Sequence, residues 1–196
     1  MFRRQFLAAV SAGFALPMTA SFAVAEESSD GRFATTITSK VGGKSVPLVL
    51  TGTALRTKYF LSVYTIGSYV QEGVKVRDAE HLARVDAVKQ LQLIFERDVD
   101  GATMARSFRE SIGMIQPAPA FAAELAKLER YFVANPCKTG NRLNLTFLPG
   151  VGLSCQLDGK EPTLIEDVRF ARAAWSIYLG PKNLSVAIKS GLSSRL

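Results

Sequence analysis

The sequence predicts an α+β domain in which an antiparallel sheet carries helices on one face. Strand-like stretches come first, at residues 33–38, 46–55 and 58–71, and the longer helical patterns come after residue 100. Strands and helices are therefore segregated along the chain instead of alternating, which favours α+β over a parallel α/β fold. The length of 196 residues fits one domain of ordinary size.

The strand at residues 58–71 is rich in β-branched and aromatic residues and is apolar at both parities, which is typical of a strand covered on both faces. A short helix is predicted to begin after Asp78, whose carboxylate can cap its first turn. The chain then returns to a strand at residues 88–96, in which Leu91, Leu93 and Phe95 alternate with more polar residues.

Two helices follow this strand. The first is capped by Asp100 and stopped by Pro117, and the second carries an apolar stripe from Phe121 to Phe132 and ends before Pro136. After an intervening hairpin, a long helix is predicted over residues 165–179, with a shorter one around residues 184–191.

The intervening hairpin has a predictable register. Apolar residues alternate on both sides of the Pro-Gly-Val-Gly turn, so placing them on one face pairs Leu145 with Cys155 and Phe147 with Leu153. Cys137 reaches Cys155 only if the chain reverses sharply at residues 139–141. A disulfide between the two cysteines and a buried free Cys155 both remain open at this point.

The first 25 residues have the organisation of an export signal. Two arginines precede an apolar run, and residues 23–25 read Ala-Val-Ala, with small residues at the two positions that define cleavage. The arginine pair followed by Gln-Phe-Leu matches the twin-arginine pattern, and an ordinary secretory leader fits as well. We therefore predict a signal peptide over residues 1–25, a single domain over residues 26–196, and a periplasmic or secreted location.

The composition limits the partners. With 47% hydrophobic and 21% charged residues, the chain is globular rather than disordered or collagen-like. The net charge of +7 is spread without a basic run, which argues against nucleic acid, and no apolar run after the leader is long enough for a transmembrane segment. One histidine and two cysteines are too few for an ordinary zinc site. We predict no metal and no cofactor; the oligomeric state is left open.

Three stretches carry motifs in a fixed order. Residues 50–70 contain Gly-x-x-x-Arg followed by Tyr-x-x-Gly-x-Tyr, and residues 93–99 read Leu-Ile-Phe-Glu-Arg-Asp-Val. Residues 147–180 contain Pro-Gly-x-Gly, Phe-Ala-x-Ala and Ile-Tyr-Leu-Gly. In this order and spacing, the motifs resemble those of the chalcone isomerase-like family, in its bacterial branch.

The resemblance implies an open-faced β-sandwich with a cleft between the sheet and the helical layer. In the plant isomerases of this family, that cleft cyclises a 2′-hydroxychalcone to a flavanone. In the related fatty-acid-binding branch, a similar cleft holds a carboxylate at an arginine and a tyrosine, with the acyl chain buried.

Arg56 is the site residue that the resemblance transfers most directly. A guanidinium facing an apolar cleft suits a carboxylate, a phenolate or a developing enolate. Tyr69 is the candidate partner of Arg56, because the binding branch keeps a tyrosine beyond the strand glycine. Tyr64 is a third candidate and stands where the plant isomerases have a threonine. Packing against the sheet is the alternative role for both tyrosines.

The polar residues that steer the plant reaction are mostly missing. Residues 103–111 contain no tyrosine, and Ser111 stands nearest to the place of the plant asparagine. We therefore predict a noncatalytic, exported binder of a small apolar anion, either a fatty acid or a phenolic compound. The alternatives are an isomerase for a conjugated carbonyl compound, with Arg56 as its catalytic residue, and an interaction protein without a ligand.

Overall fold

The computed structural model of the protein describes residues 31–117 and 119–196, so the predicted signal peptide lies outside the described residues. The described chain forms a curled seven-stranded sheet, antiparallel throughout, whose strands follow one another in sequence order. Five helices pack against this sheet within the described residues. The predicted α+β class, an antiparallel sheet with a helical layer on one face, is confirmed.

The elements occur in the predicted order, but β1 lies three residues later than predicted and residues 58–71 are divided between β2 and β3. The strands are β1 (Thr36–Val41), β2 (Lys44–Lys58), β3 (Leu61–Gln71), β4 (Lys89–Phe95), β5 (Arg142–Leu148), β6 (Gly152–Leu157) and β7 (Thr163–Ile165). The helices are α1 (Ala79–Arg84), α2 (Gly101–Ile115), α3 (Ala122–Ala134), α4 (Val168–Leu179) and α5 (Val186–Leu192). None of the helices in the described ranges is long and apolar enough to cross a membrane.

The sheet has a core on each face. The larger core lies between the sheet and the helices, and a smaller cluster on the other face contains Phe33, Leu48, Tyr69 and Ile94. The strand β3 is buried continuously from Tyr64 to Val70, because successive side chains enter opposite cores. The prediction that this strand is covered on both faces is therefore confirmed.

Aspartates cap three of the helices. Asp78 accepts a hydrogen bond from the His81 N–H at 2.7 Å and Asp100 accepts one from the Thr103 N–H at 2.9 Å, as the sequence predicts. The predicted start of the long last helix was wrong: α4 begins at Val168 after the cap Asp167, rather than at residue 165. Residues 163–165 instead form β7, because they continue the ladder along β6.

The register of the β5–β6 hairpin is confirmed. Leu145 pairs with Cys155 and Phe147 with Leu153. The reversal before β5 on which a disulfide would depend does form, with the Asn141 N–H donating to the Lys138 carbonyl at 2.9 Å. Cys137 and Cys155 nevertheless stand as free buried thiols, and burial raises the pKa of Cys137 to about 12. Neither thiol is therefore prepared for nucleophilic chemistry at neutral pH.

A bulge in β2 holds the C-terminal helix against the sheet. Thr51 is the extra residue in the ladder with β3, and its hydroxyl donates to the Leu192 carbonyl at 2.8 Å. The next residue is Gly52, with a φ of 151°, and a Cβ at this position would lie 2.1 Å from the Gly191 carbonyl oxygen. The motif glycine is therefore required for the close approach of α5.

Candidate functional site

A cleft of about 650 Å³ opens between the β2–β3 hairpin, the loop after β4, and the helices α2 and α4. This volume falls in the range of pockets that hold small ligands. Its apolar wall includes Val63, Val99, Met104, Phe108, Ile177 and Leu184. A cleft between sheet and helices is what the family resemblance implies, and its apolar wall suits a hydrocarbon chain or an aromatic ring.

A second bulge brings Arg56 and Tyr64 together. Thr57 pairs with Ser62, but the next pair along the ladder is Arg56 with Tyr64, so Val63 is the extra residue on β3. Directly paired residues of two strands project to the same face, and Tyr64 belongs to the core under the helices. Arg56 and Tyr64 both line the cleft. The structure thus brings together two of the three predicted site residues.

Tyr178 of α4 joins this pair. Its hydroxyl lies 3.4 Å from that of Tyr64, and both tyrosines are buried. Burial raises the pKa of both phenols, while the nearby charge of Arg56 acts in the opposite direction on each. Both phenols are therefore protonated at neutral pH. Only one hydroxyl hydrogen is used between them, so the other can donate to an anion beside Arg56.

Arg56 is a half-buried cation that forms no ion pair with any side chain of residues 31–117 and 119–196. Three acidic residues line the cleft, Asp98, Asp100 and Glu110, and the first two are engaged by other groups. Asp98 binds Lys138 and Thr139, which lower its pKa to about 2, and Asp100 caps α2. The Arg56 guanidinium thus keeps its donors available for a ligand.

The helix α2 contributes hydroxyls, but no tyrosine, to the cleft. Thr103, Ser107 and Ser111 line it at four-residue spacing, on one face of the helix. The Ser111 hydroxyl donates to the Ser107 backbone carbonyl at 2.8 Å, so its hydrogen is already used within the helix. The Ser111 hydroxyl therefore has no hydrogen left to donate to a ligand in the cleft.

The structure does not bring Tyr69 to Arg56, which corrects the predicted partnership. Tyr69 is fully buried in the smaller core on the other face of the sheet, and its hydroxyl donates to the Ala34 carbonyl at 3.1 Å. The physical reason is strand alternation: Tyr69 lies five residues beyond Tyr64 on β3, so the two side chains project to opposite faces. Because Tyr64 shares the face of Arg56, Tyr69 cannot.

The role of Tyr178 was not predicted, although this residue belongs to the Ile-Tyr-Leu-Gly motif. The sequence contained a signal for this role, since the phenol of a buried tyrosine normally finds a hydrogen-bond partner.

Trp175, one turn earlier on α4, is fully buried and packs on Phe147, as expected of a core residue. In the described part of the chain, no group of three or more His, Cys, Asp or Glu side chains is placed to hold a metal ion.

Comparisons with known proteins agree with this geometry. A family model described as chalcone isomerase-like matches residues 25–192. Among solved structures, the chain is similar to a fatty-acid binding protein of Arabidopsis thaliana, with a TM-score of 0.58 and 16% sequence identity. That match covers 80% of this chain and 95% of the plant chain. At this identity the match establishes the shared fold. The comparison with curated proteins gives no match.

Proposed function

The chain belongs to the chalcone isomerase-like family, and on that premise we propose that it is a noncatalytic binder of a fatty acid or a similar apolar anion. The observation that carries the proposal is Arg56, a cation without an ion-pair partner among the described residues, placed on an apolar cleft beside two protonated phenols. A carboxylate at Arg56 would receive charge-assisted hydrogen bonds, while its chain would be buried along α2 and α4. The plant fatty-acid binding protein has a similar fold.

The test is to look for a bound ligand directly. Native mass spectrometry of the protein purified from its own source should show an added mass, and extraction should identify it as a fatty acid. Calorimetric titration with laurate should then show one saturable site in the stripped protein. If nothing copurifies and laurate does not bind, the observation will favour an interaction protein that keeps the fold without a ligand.

Isomerase activity is the second candidate, because Arg56 with the Tyr64 and Tyr178 hydroxyls could also stabilise a phenolate or an enolate. We expect the protein not to accelerate flavanone formation from a 2′-hydroxychalcone above the spontaneous rate. The reason is that α2 supplies no tyrosine and that Tyr64, which is larger than threonine, narrows the cleft. Absorbance measures the rate of flavanone formation, and chiral chromatography measures its stereoselectivity. Saturable, stereoselective turnover that Arg56→Ala abolishes would instead establish an isomerase.

We also propose that the protein belongs to the exported branch of the family and that its mature chain begins at Glu26. The family match begins at residue 25, which agrees with a leader ending there. N-terminal sequencing of protein from the periplasmic fraction should return Glu26 first, because Ala23 and Ala25 are the small residues that signal peptidase requires before the cleaved bond. Finding Met1 on the cell's mature protein would contradict this.

A further inference from the structure

The tip of the β2–β3 hairpin exposes a cluster of large apolar side chains. Phe60 is fully exposed and Tyr59 is 84% exposed, and about half of each of Leu55 and Leu61 is accessible to solvent. These four residues lie within a seven-residue stretch. Single exposed apolar residues are ordinary on a protein surface, but a contiguous group of this kind marks an interaction site.

The backbone of this tip is conformationally disfavoured for the residues that it carries. Lys58 pairs with Leu61, so Tyr59 and Phe60 form a two-residue turn. Both adopt left-handed conformations, with φ of 51° and 65°. Turns of this geometry favour Asn-Gly, because β-carbons are crowded at positive φ. The two aromatic side chains therefore lie at the apex of the turn, where crowding of the β-carbon and exposure to water both disfavour them. Such a disfavoured arrangement is typical of a functional contact.

The hairpin itself carries charge of one sign, although Asp98, Asp100 and Glu110 of other elements line the cleft beside it. Residues 31–71, which include the whole hairpin, contain five lysines and arginines and no acidic side chain. Lys58 immediately precedes the turn and Arg56 lies two residues before Lys58, and the Lys58 ammonium lies 5.7 Å from the centre of the Tyr59 ring. An apolar tip with cations at its base is complementary to an anionic lipid surface, where rings insert among headgroups and ammonium groups meet phosphates.

We propose that this hairpin tip docks the protein on an anionic lipid bilayer. Tyr59 and Leu61 also line the cleft, so docking would place the cleft entrance at the membrane surface. The tip is a two-residue turn, and its four exposed apolar side chains fall short of the roughly 800 Å² per partner that a stable dimer buries. A bilayer interface, by contrast, accommodates such a small apolar group. This inference goes beyond the proposed function and does not depend on which ligand the cleft holds.

The test is sedimentation of the purified mature protein with vesicles, without added fatty acid. We expect binding to vesicles of phosphatidylcholine with phosphatidylglycerol, weaker binding to phosphatidylcholine alone, and release at high salt. Replacing both Tyr59→Asn and Phe60→Gly should lower the partition coefficient about tenfold or more, because the rings are lost. The same pair creates the favoured turn, so the melting temperature should be unchanged or higher. Lys58→Ser should lower partitioning about fivefold.

Val151→Ser is the matched control. Val151 is also an exposed apolar residue in a hairpin turn, but it lies between β5 and β6, at the opposite end of the sheet. This variant should partition like the parent protein. Equal partitioning of the Tyr59/Phe60 variant and the parent would overturn the proposal, as would an absence of binding to anionic vesicles. A dimer that only the Tyr59/Phe60 variant loses would assign the tip to self-association instead. Laurate titration reads the cleft separately, so the two proposals can fail independently.

Discussion

Replacing Arg56 by alanine is expected to weaken laurate binding by roughly 2–5 kcal/mol, because the variant leaves a buried carboxylate without its cation. The size of the effect follows from the position of Arg56. It is half-buried and makes no ion pair with the side chains described, and it lies near two phenols whose pKa values are raised by burial. A solvent-exposed pair would contribute less than about 1 kcal/mol.

Three further variants separate the contributions that the charge of Arg56, the geometry of its guanidinium and the tyrosine hydroxyl make to laurate binding. Arg56→Lys should lose less affinity than alanine, since it keeps the charge but not the guanidinium fork. Tyr64→Phe should lose about 1 kcal/mol, the net contribution of one hydrogen bond, and leave the rest of the cleft intact. Tyr69→Phe is the matched control: it removes the same hydroxyl from the same strand, but on the other face of the sheet. Its laurate affinity should equal that of the parent.

Isothermal calorimetry gives the affinities, and thermal unfolding in the absence of laurate shows that each variant is folded. Unchanged affinity in Arg56→Ala would place the anchor elsewhere in the cleft, where Arg97 and Lys58 are the other cations. A loss in Tyr69→Phe as large as that in Tyr64→Phe would show that the hydroxyl effect acts through the sheet rather than through contact with the ligand.

The choice between Tyr64 and Tyr69 shows where sequence reasoning reaches its limit. Alternation along a strand establishes that the two tyrosines face opposite ways, but not which of them faces Arg56. In a regular ladder beyond the Lys58–Leu61 pair, Arg56 would stand opposite Val63. The extra residue on β3 shifts the pairing by one and places Tyr64 opposite Arg56. Beyond a single bulge, each residue of one strand shares a face with the opposite set of residues on its partner strand. Bulges without a glycine carry no strong sequence signal.

Features that depend only on residues close together in the sequence were predictable. The aspartate caps act within three residues of themselves, and the β5–β6 register follows from matching two alternating apolar sets across a short turn. The Tyr59–Phe60 turn was missed, and residues 58–71 were predicted as a single strand. Two aromatic residues in a left-handed turn contradict the usual turn composition. The residues that violate the local rules are thus at the tip and beside the cleft, where function is proposed.

Lys89 is the core residue whose role the sequence could suggest only in part. It lies two residues before Leu91, so the alternation of β4 already places it on the apolar face. Its partners come from elsewhere: the ammonium donates to the carbonyls of Leu82, Ala83 and Val85, at the end of α1, at 2.8–2.9 Å. The side chain is fully buried and lies over the Phe147 ring, 4.6 Å from its centre.

We therefore expect Lys89→Met to lower the free energy of unfolding by about 3 kcal/mol, because it leaves the buried carbonyls at the end of α1 without donors. Lys127→Met, on the exposed surface of α3, is the matched control and should change stability by less than about 0.5 kcal/mol. Urea denaturation measures both. An unchanged midpoint for Lys89→Met would show that water replaces the ammonium without cost.

The pH dependence provides a second, independent measurement. Burial lowers the pKa of Lys89 to about 7, against 10.5 for an unperturbed lysine. Between these values the unfolded chain binds more protons than the folded one, so this lysine makes the parent protein more stable as the pH rises from about 7 to about 10. Methionine does not titrate, so the stability deficit of Lys89→Met should be smaller at pH 6 than at pH 9. Taking the difference between parent and variant cancels the other titrating groups. A deficit that is constant over this range would mean that the three carbonyls and the aromatic rings hold the ammonium fully charged despite its burial.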